Sequence, residues 1–230
     1  MPSLQRTELR EIAPGLACLD SSFKVWGCTG SVRMSVIGDG DDLVLYSPVA
    51  LGRDHVAQIA TRGRVGLIIA PNLYHHMYLR DAVAAFPEAR VLVPEGLLEK
   101  IGPVDRAEVM APGLDLRLPA ELDHHLFAGH AIRETSLFHR PSGTLVTADL
   151  LYNYHAEHYA AEKAFFWLVG IYGRPMVPFY HRFAIEDKGD VRRLIDRVRS
   201  WPVRRIVPCH GRIIACEDAE VFARAWQRFG

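Results

Sequence analysis

Apolar segments that stop at a histidine or an aspartate punctuate this chain. GLIIAP runs on to the pair His75 and His76, LFAG ends at His130, GTLVTA ends at Asp149, and RRIVPC ends at His210. A strand delivers its last side chain to the edge of a sheet, so strands laid side by side can converge such residues on one cleft. Imidazole and carboxylate are ordinary protein ligands of zinc, iron and manganese. One such ending is explained by core packing. Four in series restrict the chain to folds that bring strand ends together.

The composition supports a folded domain. Of 230 residues, 49% are hydrophobic and 23% charged, enough for a full core and too apolar for disorder. A single domain over residues 1–230 is expected at this length. Lys+Arg and Asp+Glu number 27 each, for a formal net charge of zero. That argues against non-specific electrostatic binding to nucleic acid or to an anionic membrane. The opening MPSLQRTELREIAPG has no apolar h-region, so no signal peptide is expected. The longest greasy stretch, AFFWLVGIYGRPMVPFY, is broken by Gly170, Gly173, Arg174 and Pro175 and is not expected to span a bilayer. Cys18, Cys28, Cys209 and Cys216 lack C-x-x-C spacing and read as reduced thiols. A cytoplasmic location is expected, with a small-molecule substrate as partner and neither nucleic acid nor membrane.

Along the chain, GLACLD, SVRMSVIG and DDLVLYSP read as strands, with GDGDD as a turn. A helix is expected from Gly52 to Arg62, then the strand GLIIAP. MYLRDAVAAFPEA reads as a helix ending by Pro87, ARVLVPE as a strand and LLEKIG as a short helix. A β-rich middle follows: AEVMA, LDLRLP, LDHHLFAG, ETSLFHR and GTLVTAD, with PSG as a hairpin turn. Helices are expected from Asn153 to Val169 and from Ile171 to Phe183. Val191, Leu194, Ile195 and Val198 recur at helical spacing between Asp187 and Ser200. RRIVP is a strand, and Asp218 to Phe229 a closing helix. Two β-rich stretches, each followed by helices, imply two sheets face to face with helices outside. The expected class is α/β, a four-layer αββα sandwich of two mixed β-sheets.

The order of these segments resembles the metallo-β-lactamase fold superfamily, over about Asp41 to Arg212. In that family a strand leads into H-x-H-x-D-H and a helix; later strands end in G-H, in a bridging Asp, and again in G-H. Here GLIIAPNLYHH takes the first place, FAGH and GTLVTAD the next two, and RRIVPCHG the last. Pro71 and Leu73 stand where the family's first two histidines are expected, and neither can bind a metal. His75 falls at the Asp position and His76 at the final His. The resemblance implies that the first metal site has lost two ligands. For the second it implies His76, Asp149 and His210, with His75 and His130 in reserve, and one divalent metal, zinc first, with iron or manganese as alternatives. Asp149 would both bind the metal and orient the attacking water. SPV at Ser47 to Val49 replaces an Asp-containing turn common in the family.

Several other residues have readings of their own. His155 and His158 share a helical spacing and are either replacement ligands, pocket walls or a solvated face. His124, His125 and His139 read as structural, with His139 exposed beside the turn. Cys209 reads as a buried inert thiol. The arginine-rich run from Arg192 to Arg205 is interspersed with Asp187, Asp190 and Asp196, a solvated face more than a nucleic-acid site. The dense aromatics after Asp149 are core, a few of them lining an apolar pocket.

Three functions fit this reading. The first is a mononuclear metal-dependent hydrolase of an ester, amide or thioester. The second is a non-catalytic, ligand-binding descendant with an eroded metal site. The third is an iron-dependent redox protein.

Overall fold

The computed structural model describes residues 8–25, 28–155 and 160–230. Among them, seven strands form one sheet and five a second. The first sheet follows chain order: β1 (Arg10–Ala13), β2 (Leu16–Val25), β3 (Cys28–Ile37), β4 (Gly40–Tyr46), β5 (Gly63–Ile69), β6 (Arg90–Pro94) and β7 (Ala107–Met110). Its first four strands are antiparallel hairpin partners, whereas β4 to β7 are parallel. The parallel connections carry α1 (Arg53–Ala60), α2 (Leu79–Ala85) and α3 (Leu97–Ile101), as parallel neighbours require a crossover.

The second sheet holds β8 (Leu122–Phe127), β9 (Glu134–His139), β10 (Thr144–Asn153), β11 (Arg205–Gly211) and β12 (Ile214–Ala215), in the order β12-β11-β10-β9-β8. The β10–β11 pair is parallel and the others antiparallel. Outside this sheet lie α5 (Lys188–Arg199) and α6 (Glu220–Gln227), whereas α4 (Ala160–Leu168) packs against β3 of the first sheet. Asp187 caps α5, its side chain accepting from the Gly189 N–H.

Alternation along the strands sorts side chains into three cores. Leu43 and Leu45 face outward and pack with Ile59, Leu79 and Leu97 of the helices. Their neighbours Val44 and Tyr46 face inward and meet Leu137, Val146 and Val207 of the second sheet. On that sheet's far side, Phe138, Leu145 and Ile206 pack against Val191, Leu194 and Trp226. The layers are therefore helix, sheet, sheet, helix, as expected from the sequence.

Three segments depart from expectation. LDLRLP forms no strand; Arg117 adopts a positive φ of 48° there, and prolines flank the segment. The expected helix from Asn153 is a strand end at that residue, because β10 resumes pairing at Tyr152↔His210 and Asn153↔Gly211; α4 begins at Ala160. The segment from Ile171 to Phe183 is not a helix either. Glycines and prolines interrupt it, Met176 exchanges backbone hydrogen bonds with Tyr152 (2.8 and 2.9 Å), and only Phe179–Phe183 coils, as a 3-10 turn.

Candidate metal centre

Three of the residues singled out in the sequence meet at one edge of the interface between the sheets. Nε2 of His75 lies 3.1 Å from Nε2 of His210 and 3.4 Å from Oδ2 of Asp149. Nε2 of His210 lies 3.2 Å from Oδ1 of Asp149. All three side chains are less than a tenth exposed.

Each is placed by a different device. Asp149 sits in an irregularity of β10: between the pairs Thr147↔Pro208 and Tyr152↔His210, β10 has four residues where β11 has one. Such a bulge leaves backbone N–H groups without ladder partners. The buried Glu134 satisfies them, its Oε1 accepting from the Ala148 N–H (2.8 Å) and Oε2 from the Asp149 N–H (2.7 Å). The Thr147 hydroxyl also donates to Oε1, at 2.7 Å. The Asp149 side chain in turn accepts from Asn72 Nδ2 at 2.9 Å and from the Tyr152 hydroxyl.

His210 is the penultimate residue of β11, and the first sheet clamps it. Its Nδ1 donates to the Ser31 carbonyl at 2.7 Å, which turns Nε2 toward Asp149 and His75. Its ring stacks on Tyr152 with centroids 4.9 Å apart and planes at 6°. Arg33 donates to the carbonyls of Pro208 and Gly211 (2.9 and 3.0 Å) and so ties the end of β11 to β3. Gly211 has φ +85°, and a Cβ there would stand 2.3 Å from the Asn153 carbonyl oxygen, so only glycine closes this corner. His75 follows β5 on a turn, with Nδ1 2.6 Å from the Ser47 hydroxyl.

The charges are strongly interdependent. Burial alone would lower the His75 pKa, but the Asp149 charge and hydrogen bonds to Asp149 and Cys209 raise it well above the usual histidine value. Burial alone would raise that of Asp149, but His75 and the hydrogen bonds from His210 and His75 hold it well below the carboxylate range. Burial and then the Asp149 charge push Glu134 up to about 7.

This donor set suits a divalent metal. Three donors on a tetrahedron with bonds of about 2.0–2.1 Å stand about 3.3 Å apart, close to the separations of 3.1, 3.2 and 3.4 Å found here. Each ligating atom also has an outer partner that orients it, in Ser31, Ser47, Asn72 and Tyr152.

Other sequence candidates lie elsewhere. His76 does not join the three, although the resemblance gave it the stronger role. Its carbonyl accepts from Leu79 at the start of α2, and partial burial and the Lys100 charge lower its pKa. The turn after Asn72 points His75 inward, and its neighbour is directed elsewhere. His130 does not join them either. It is fully buried, with its ring centroid 4.9 Å from that of His181 and 5.3 Å from that of Phe127. The strand β8 stops at Phe127, so His130 lies on the turn beyond it, paired with Ile185. His155 bonds Asn153 at 2.8 Å; His158 lies outside the described residues. His139 is buried rather than exposed and bonds Ser142 at 2.8 Å. Cys209 is buried between the sheets. The sequence reading missed Asn72, Glu134, Tyr152 and Ser31 as outer partners. Asn72 stood in the run PNLYHH and Tyr152 among the aromatics after Asp149, whereas Glu134 and Ser31 stood in ETSLFHR and SVRMSVIG, read only as strands.

No protein-family model matches this sequence, and no curated protein sequence does. Solved structures do. The metallo-β-lactamase DIM-1, exposed to ceftazidime, superposes with a TM-score of 0.66 at 9% identity, over 97% of each chain. The metallo-β-lactamase FIM-1 from Pseudomonas aeruginosa, in its mono-zinc form, gives 0.59 at 13% identity, over 96% of this chain and 95% of that one. The flavodiiron protein from Giardia intestinalis gives 0.66 at 12% identity, over 96% of this chain but 59% of its own.

Proposed function

We propose that this chain, which has the metallo-β-lactamase fold, is a hydrolase dependent on one divalent metal held by His75, Asp149 and His210. The observation that carries the reading is the triangle of ligand atoms, 3.1, 3.2 and 3.4 Å on its sides, each atom backed by an outer partner. Bound there, zinc, iron or manganese supplies Lewis acidity and a water acidified toward neutral pH.

The chain's own residues prepare that site. The Ser31 carbonyl fixes the His210 tautomer, and Tyr152 and Asn72 fix the Asp149 carboxylate. Burial and the Asp149 charge raise Tyr152 well above the ordinary tyrosine value and Tyr180 to about 12. Both hydroxyls therefore remain protonated donors at neutral pH. Tyr180 is about half exposed and bonded to Tyr152, so it stands where the network meets solvent. Tyr74 and Met77, on the turn that carries His75, expose most of their surface. A small ester, amide or thioester with an apolar flank suits that mouth.

Elemental analysis of untagged protein, before and after adding zinc, manganese or iron, tests the reading. About one metal per chain is expected, because a catalytic site takes about three protein ligands. Chromogenic ester and thioester panels should then show metal-dependent turnover, and a chromogenic β-lactam none above background. No metal under any condition would retire the hydrolase in favour of a ligand-binding descendant, a reading that Pro71 and Leu73 already favour.

A further inference from the structure

We infer that Asn72 is a positioning residue that sets His75 and Asp149 in register with each other, and thereby governs how tightly the centre holds a divalent metal. The inference rests on the metal-site reading above.

Asn72 is completely buried, and all its side-chain hydrogen-bonding capacity is used. Oδ1 accepts from the backbone N–H groups of Tyr74 (2.9 Å) and His75 (3.0 Å). This closes an Asx turn, the turn that directs His75 inward. Nδ2 donates to Glu134 Oε2 (2.8 Å) and Asp149 Oδ2 (2.9 Å). The amide orientation is fixed by its partners: a flipped amide would set its oxygen against two carboxylates and its NH2 against two N–H groups.

One side chain thus spans two ligands that come from different sheets and lie far apart in sequence. Its backbone is anchored as well. The Pro71 carbonyl accepts from the Thr135 N–H (2.9 Å), and the Leu73 N–H donates to the Ile132 carbonyl (3.1 Å), stitching this loop to the strand that carries Glu134. Glu134 in turn holds the Asp149 backbone. The amide therefore belongs to a closed circuit: Asn72 to Asp149 side chain, Asp149 backbone to Glu134, Glu134 back to Asn72. Serine or aspartate would also close an Asx-type turn. Only a side chain with both an acceptor and two donors closes the turn and joins the carboxylates.

The test compares wild type, Asn72→Ala and Asn72→Ser for zinc affinity, by competition with a chromophoric chelator, and for the visible spectrum of the cobalt-loaded protein. Circular dichroism in chelator reports folding. Loss of an outer partner costs about 10–100-fold in metal affinity, so Asn72→Ala should lose that much and shift the cobalt bands. Asn72→Ser keeps a hydroxyl acceptor for the turn but cannot reach the carboxylates, so it should remain about tenfold or more weaker than wild type. Should Asn72→Ala fail to fold, Asn72→Ser alone carries the comparison. Wild-type affinity and spectrum in Asn72→Ser would overturn the inference, reducing Asn72 to a turn former. A wild-type protein that takes no zinc or cobalt would instead sink the metal-site reading itself.

Discussion

Lowering the pH from 7.5 to 5.0 in the presence of chelator should cost wild type about 2 kcal/mol more stability than it costs a His130→Asn variant. The His130 ring is fully buried among Phe127, His181 and Trp226, and its Nδ1 accepts from the Ile132 N–H at 3.2 Å. Burial, and then the neighbouring His181, lower its pKa to about 3. In the unfolded chain it returns to about 6.5. The folded value lies below the unfolded one, so the unfolded state takes up the proton first. The contribution to stability is complete above pH 6.5 and drains as the pH falls toward the folded value. Each unit crossed costs about 1.36 kcal/mol, so the 1.5 units from 6.5 to 5.0 give about 2 kcal/mol, or about 4–8 °C in Tm for a chain of this size. Asparagine is chosen because its Oδ1 can replace Nδ1 as acceptor for Ile132. The cavity it leaves costs the same at both pH values. The other groups that titrate in this range are present in both proteins. Urea unfolding followed by circular dichroism at the two pH values gives the difference. Stability curves that shift in parallel would refute a neutral, packed His130 and reopen its role as a ligand.

Three further outcomes are expected. Asp149→Ala should abolish zinc binding in the chelator competition, since it removes the only carboxylate among the three ligands, and His75→Ala and His210→Ala should each do the same; His76→Ala should leave binding at the wild-type level, and equal losses in all four would return His76 to the site. Trp226→Ala should cost about 3–5 kcal/mol in urea unfolding, because the ring is fully buried and its indole N–H donates to the Leu150 carbonyl at 2.8 Å. Gly211→Ala should cost about 1–3 kcal/mol and weaken metal binding as well, since its Cβ would displace the Asn153 carbonyl 2.3 Å away beside His210; an unchanged melting temperature would contradict that geometry.

The layered architecture was legible in the amino-acid sequence because burial follows short periods. The alternation through Leu43, Val44, Leu45 and Tyr46 sorts one strand between two cores, and the spacing of Val191, Leu194, Ile195 and Val198 marks the buried face of α5. Asp149 and His210 were legible as well, each standing where an apolar run meets a polar ligand type. Local pattern could not choose between His75 and His76, since adjacent residues share one sequence context. That choice was made by a turn whose acceptor, Asn72, also reaches across to Asp149. Nor could it place His130, whose ring found a partner in His181, a residue from a segment that reads as one long helix and folds as irregular chain ending in a short 3-10 turn. The continuation of β10 past Asp149 is of the same kind: a parallel partner distant in sequence takes up the pairing at Tyr152, and Glu134 satisfies the bulge between. Periodicity records which face of an element is buried. Which buried polar groups meet depends on hydrogen bonds between elements far apart in the chain, and those exist only once the two sheets have packed.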